Sequence, residues 1–249
     1  MHKLLVFDLD GTLASVGKSM ADADVEKLLE LEQQGYTIVI CSGKPSYYLC
    51  GFARQLGLQA PMLIGENGAT FQFGVELPPT RYEVHPYSER ARAQLDMMRA
   101  LIDRECGDKV WYQPNEVGLT PFPKDEETFE VIQKLINERA GLLSEILVYR
   151  HIDSFDLTPK NINKQNGLAY LSELTGFECK DMVAVGDGVN DIPMFEYADV
   201  AIGIAGERDA ARSDTGSEAD GSNCEIAESV DFIFATISEA LNFILEKKI

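Results

Sequence analysis

Apolar positions along the chain fall into short blocks separated by stretches with helical spacing. Residues 3–7 (KLLVF) form a run that ends at Asp8 and predicts a buried strand. In 21–34 (ADADVEKLLELEQQ), Val25, Leu28, Leu29 and Leu31 lie near one face of a helix, and Gly35 stops it. Residues 36–41 (YTIVIC) predict a second buried strand, 46–56 a second helix and 61–64 a third strand. The order β-α-β-α-β implies α/β architecture, with a doubly wound, Rossmann-like parallel sheet.

The rhythm then changes. Residues 87–105 read as an amphipathic helix, 109–121 as two short strands, 125–139 as a second helix and 145–157 as paired strands. Asp125 and Glu126 stand at the positive end of that second helix. This block predicts an inserted α+β domain at 82–158 between the two parts, 1–81 and 159–249, of the core. Trp111 is assigned to the interior of the insert. Alternation resumes with a helix at 164–174, a strand at 182–185 (MVAV), a helix at 191–197, strands at 199–203 and 231–235, and a helix at 236–247. Before the last strand, 213–223 is small and polar and predicts a surface loop.

Composition narrows the class of partner. Forty-one Asp and Glu against 22 Lys and Arg give a net charge of −19, which argues against nucleic acid or an anionic membrane surface. No apolar run approaches the roughly 18–20 residues of a membrane span, and the N-terminal run is too short for a secretory signal. Five Cys without a C-x-x-C pair fit free thiols in a reducing cytoplasm, with Cys41 packed in a strand.

Candidate chemistry gathers at strand ends. Asp8-Leu9-Asp10-Gly11-Thr12 follows the first strand, and Gly186-Asp187-Gly188-Val189-Asn190-Asp191 follows MVAV. Ligands of open α/β sheets collect outside the carboxyl ends of the strands. Four carboxylates converging there repel one another unless a cation sits among them, and hard oxygen donors suit Mg²⁺. Ser42-Gly43 after the second strand offers a hydroxyl and a backbone N–H to an anion. Lys164, opening a helix, adds a positive charge for a phosphate.

Taken together, FDLDGTL at 7–13, Ser42 in ICSGKP, Lys164 in NKQNGLAYL and GDGVND at 186–191 resemble the haloacid dehalogenase superfamily of phosphatases. The size and place of the insert resemble the type IIB cap of sugar-phosphatase, sucrose-phosphatase-like, phosphoglycolate-phosphatase and phosphomannomutase relatives. The resemblance implies that Asp8 is a nucleophile forming an aspartyl-phosphate. Asp10 would act as general acid and then base. It implies Mg²⁺ bound by the Asp8 carboxylate, the Asp10 backbone carbonyl and Asp187, with Asp191 completing or supporting the shell. Ser42, Gly43, Lys164 and Asn190 would hold the phosphoryl group.

Lys44 stands where many relatives carry Arg, and is a candidate to face the substrate. Asn67 either lines the crevice or only forms its turn. Choice of leaving group falls to the cap, where Arg150 and His151 are candidates; because strands alternate faces, at most one of them points into the site. The expected substrate is a small phosphorylated metabolite, a sugar phosphate being favoured and phosphoglycolate the alternative, acted on by a cytoplasmic monomer or homodimer. A phosphomutase is the rival within enzymes, and a non-catalytic phospho-accepting module the rival outside them.

Overall fold

A computed structural model describes residues 4–15, 17–205, 226–247 and 249, so the polar stretch 213–223 lies outside the described residues. The chain divides into two compact units: Met1–Glu83 with Lys164–Ile249, and Val84–Asn163.

The first unit opens with β1 (Leu4–Phe7), α1 (Asp22–Gln33), β2 (Thr37–Cys41), α2 (Ser46–Leu56) and β3 (Met62–Gly65). All four β1 side chains are buried, as a strand covered on both faces requires. Two strands then extend the edge beyond the predicted pattern: β4 (Thr70–Phe73), antiparallel to β3, and β5 (Arg81–Val84). The β3–β4 turn passes through Glu66 and Asn67, both at positive φ (53° and 56°).

In the second unit, α3 (Glu89–Cys106) and α4 (Glu126–Arg139) are capped by Ser88 and Asp125. Asp125 accepts from the Thr128 amide at 2.8 Å, which accounts for the acidic start of that helix. The strands form two antiparallel pairs. One is β6 (Val110–Tyr112) with β7 (Pro121–Pro123); the other is β8 (Ile146–Arg150) with β9 (Phe155–Pro159). Reciprocal 3.0 Å hydrogen bonds between Leu119 and Leu157 tie the pairs together. Met98, Ile102, Phe129, Ile132, Phe155 and Leu157 form the core between the helices and one strand face. Trp111 is not in that core: it is 55% exposed, on the opposite face, contrary to its assignment from sequence.

The chain then completes the first unit with α5 (Lys164–Thr175), β10 (Met182–Gly186), α6 (Ile192–Phe195), β11 (Val200–Ile204), β12 (Phe232–Phe234) and α7 (Ile237–Lys247). The sheet order is β12-β11-β10-β1-β2-β3-β4-β5, parallel as far as β3. Leu5 and Phe7 pack with α1, α2 and α7 on one face, while Leu4 and Val6 pack with α5 and α6 on the other. This is the doubly wound arrangement read from the sequence, with an antiparallel edge added. No helix among the described residues is long and apolar enough to cross a membrane.

Candidate active site

β1 and β10 are parallel neighbours, with Phe7 opposite Val185. Their carboxyl ends therefore release Asp8 and Asp187 side by side, and the Asp8 amide donates to the Val185 carbonyl at 2.9 Å. The two acidic clusters meet because two adjacent strands end at the same level.

Lys164, the first residue of α5, is 1% exposed. Its Nζ lies 2.5 Å from Oδ1 of Asp8 and 2.5 Å from Oδ1 of Asp191. Burial alone disfavours the ammonium, but Asp191 and Asp8 outweigh that and hold the lysine above its ordinary value. Burial pushes Asp8 up to about 7, with Lys164 pulling against it and Asp191 and Asp187 adding to it. Asp187 is pushed up to about 6, again chiefly by burial, and the Thr12 hydrogen bond works against the shift.

Asp191 is completely buried and both of its carboxylate oxygens are engaged. Oδ1 takes Lys164, and Oδ2 accepts the backbone amides of Asp187 and Gly188, each at 3.0 Å. It thus holds both the lysine and the loop that carries Asp187. The loop leaves no room for side chains: a Cβ at Gly186 would come within 2.5 Å of the Asp191 carboxylate, and one at Gly11 would fall on the Asp187 carboxylate. Gly11 also adopts φ +94°, a conformation that glycine enters without steric cost. Thr12 donates its hydroxyl to Asp187 Oδ1 at 2.8 Å. That contact is hidden in the sequence, where Thr12 is only the last residue of the acidic stretch after the first strand.

At the end of β2, Ser42 is buried and its Oγ accepts the Lys44 amide at 3.3 Å. The Asn67 amide donates to the Ser42 carbonyl at 2.9 Å. A Cβ at Gly43 would meet the Asn67 side chain at 3.3 Å. Asn67 therefore forms the turn and also lies against the Ser42-Gly43 segment. Lys44 sits with its Nζ 3.3 Å from Oδ2 of Asp10, both side chains about one-third exposed. Asn190 is exposed, its side-chain oxygen close to Gly188. Cys41 is buried behind the site, which pushes its thiol up to about 12, in keeping with a packing role.

Asp8, Asp187 and Asp191 each present a carboxylate oxygen within 4.8 Å of the others. This all-oxygen donor set fits a hard divalent cation. Asp8 and Asp187 keep acceptor capacity for one, whereas Asp191 is committed to Lys164 and the loop amides. Asp10 stands outside that trio, its side chain on Lys44.

A family profile described as haloacid dehalogenase-like hydrolase matches residues 5–75 and 112–213, more than half of the chain. The chain belongs to the haloacid dehalogenase-like hydrolase family. A phosphoglycolate phosphatase of Methanococcoides burtonii is 26% identical over 203 residues, covering 82% of this chain and 83% of its own. The 5-amino-6-(5-phospho-D-ribitylamino)uracil phosphatase YcsE of Bacillus subtilis is 24% identical over 225 residues, covering 84% and 86%. A haloacid dehalogenase-like hydrolase of Bacteroides thetaiotaomicron shares the fold with a TM-score of 0.75 at 18% identity, covering 98% of this chain and all of that one.

The two candidates in the second unit of this haloacid dehalogenase-like hydrolase part company. Arg150 turns to the helix side, its guanidinium 5.0 Å from the centre of the Phe129 ring. His151 places Nε2 3.1 Å from Oδ2 of Asp156. Asp156 itself escaped sequence reasoning, because a single Asp in FDLTP carries no motif.

Proposed function

We propose that the chain is an Mg²⁺-dependent phosphomonoester hydrolase acting on a small phosphorylated metabolite through an aspartyl-phosphate at Asp8. The observation that carries this reading is the Lys164 ammonium held between Asp8 and Asp191 at the ends of two adjacent parallel strands, with Asp187 alongside. The phosphatase names of the relatives support the same class.

In this reading a cation held by Asp8 and Asp187, with the Asp10 carbonyl, supplies charge neutralisation for the phosphoryl oxygens. Lys164 and the Ser42-Gly43 segment bind the phosphoryl group, and Asn190, on the exposed rim, adds a contact. The Asp8 carboxylate attacks phosphorus as the ester P–O bond breaks. Asp10, positioned by Lys44, gives its proton to the departing alkoxide. It then takes a proton from the water that attacks the aspartyl-phosphate, which frees Asp8 and inorganic phosphate. Asp191 acts as a positioning residue for Lys164 and the Asp187 loop. The 84–163 unit confers the choice of leaving group. Free thiols at Cys41, Cys50, Cys106 and Cys179 support a reducing, cytoplasmic setting.

The test is phosphate release from a panel of sugar, polyol, glycolate and aryl phosphates. Turnover that needs Mg²⁺ and stops in EDTA is expected. Exchange of phosphate between sugar positions without net release, or no turnover on any ester, would overturn the reading.

A further inference from the structure

Within the first unit, the β3–β4 turn Glu66-Asn67-Gly68 joins the two pieces that the proposed function places on the phosphoryl group. On one side it holds the Ser42–Lys44 segment. The Asn67 amide donates to the Ser42 carbonyl at 2.9 Å, and the Glu66 amide donates to the Lys44 carbonyl at 3.0 Å. On the other side it meets α5, where a Cβ on Gly167 would fall 2.7 Å from the Cα of Gly68. Gly167 is buried, three residues after Lys164 and on the same side of that helix. The start of the turn is equally tight: a Cβ on Gly65 would fall 2.5 Å from the Ser46 amide nitrogen, at the start of α2. The turn is therefore wedged between the segment after β2 and the helix that carries Lys164.

The direction of one peptide group follows from this. A trans peptide points its C=O and its N–H in opposite directions. With the Ser42 carbonyl held by the Asn67 amide, the Gly43 N–H points away from the turn. Asn67 holds that carbonyl from the left-handed region, at φ 56°, next to Glu66 at φ 53°. Asn is one of the few residues besides Gly that enters this region readily. Because Gly68 abuts α5, a change of φ at Asn67 is taken up on the other side, at its own amide. The change then passes to the Ser42 carbonyl and so to the plane of the Ser42–Gly43 peptide.

We propose that Asn67 is a positioning residue of the phosphoryl site, acting through its left-handed backbone on the Ser42–Gly43 peptide without touching the substrate. The proposal rests on the phosphatase reading for the role of that peptide. It divides the site into two parts with separate supports. Asp8 and Asp187, the carboxylates assigned to the cation, are placed by the adjacent ends of β1 and β10. The Ser42–Gly43 peptide is placed by the turn. Phosphate binding should therefore depend on the conformation that residue 67 can adopt, and Mg²⁺ binding should not.

Calorimetry on the full-length protein tests this with two probes: Mg²⁺ alone, and inorganic phosphate at saturating Mg²⁺. Asn67→Ala puts a residue that resists positive φ into the turn, and should weaken phosphate binding at least about tenfold, as expected for misplacing one charge-assisted hydrogen bond. Asn67→Gly removes the side chain but enters the left-handed region freely, and should keep phosphate binding within about threefold of the wild type. Both variants should bind Mg²⁺ within about twofold of the wild type, which a general loosening of the unit would not allow. Unchanged phosphate binding in Asn67→Ala, an equal loss in both variants, or a parallel loss of Mg²⁺ binding would overturn the proposal. If Asn67→Ala does not fold, the glycine variant decides: phosphate binding weakened about tenfold or more overturns the proposal, and binding within about threefold supports it. A wild-type protein that binds Mg²⁺ but no phosphate would instead overturn the phosphatase reading on which the proposal stands.

Discussion

The Lys164 ammonium lies 2.5 Å from Oδ1 of Asp8, joining positions 156 residues apart, and reaches Asp191 at the same distance. One cation thus compensates two buried carboxylates. Removing it leaves both anions in a place where water cannot replace the lost partner.

Lys164→Met is therefore expected to destabilise the metal-free protein by about 3–5 kcal/mol, the cost of breaking a buried pair. Urea unfolding in EDTA measures this. Mg²⁺ should restore part of the loss, because it brings positive charge back to Asp8 and Asp187. Unchanged stability in EDTA would mean that the lysine is not the counter-charge of these groups.

The pH dependence has a definite sign. Burial raises Asp8 to about 7 and Asp187 to about 6. A carboxyl whose folded pKa exceeds its unfolded value favours folding while protonated. That contribution is complete below about pH 4 and is lost as pH rises through both folded values. Bound Mg²⁺ favours the ionised forms, so the increase in Tm that Mg²⁺ produces over EDTA should grow between about pH 5 and pH 8. The difference between the two conditions cancels groups far from the site. An increment that is flat or falls with pH would contradict the assignment of Asp8 and Asp187 as the cation's carboxylates.

Asp187 and Asp191 should behave differently despite their shared motif. In the proposed reading Asp187 faces the metal, so Asp187→Asn should weaken Mg²⁺ binding at least about tenfold, read by calorimetry. Asp191→Ala deprives Lys164 and two loop amides of their acceptor. It should lower Tm in EDTA, where no metal is present to explain the change. Equal effects of the two variants on metal-free stability would argue against a positioning role for Asp191.

Lys44 reaches Asp10 through a pair about one-third exposed, so Lys44→Ala should change stability by less than about 1 kcal/mol. Its effect should fall on kcat for alkyl phosphates, by about ten- to a hundredfold, because a misaligned acid serves a poor leaving group badly. An aryl phosphate, which departs without a proton, should be affected less, and Lys44→Arg should recover most of the loss. A uniform loss across both ester types would place Lys44 on the phosphoryl group instead.

Most of the first unit was legible because buried parallel strands read as unbroken apolar runs, and LLVF and MVAV end where the acidic motifs begin. The antiparallel edge was not: TFQF is four residues long and begins just past the Glu66-Asn67 turn, whose positive φ values no propensity announces. Within the site, residue types at strand ends predicted which groups gather near Asp8. They did not predict which hydrogen bonds each would make. Asp191 as an anchor for amides and Thr12 on Asp187 depend on side-chain direction across long sequence separations. Trp111 was misread for the same reason: VWY alternates, and its period does not say which face meets the helices. The net charge of −19 does not prevent binding of a small phosphate ester, since Lys164 and a cation would offset the local carboxylates and salt screens the rest beyond about 8 Å.

The most direct test of the central claim uses Asp10→Asn, which keeps Asp8 and Lys164 but removes the carboxylate proposed as acid and base. With Mg²⁺ and p-nitrophenyl phosphate, this variant should release about one equivalent of p-nitrophenol and then stall, because the second step has lost its base. Acid quenching and peptide mapping should then find the phosphoryl group on Asp8. Steady turnover at the wild-type rate, or phosphate on any residue other than Asp8, would contradict it.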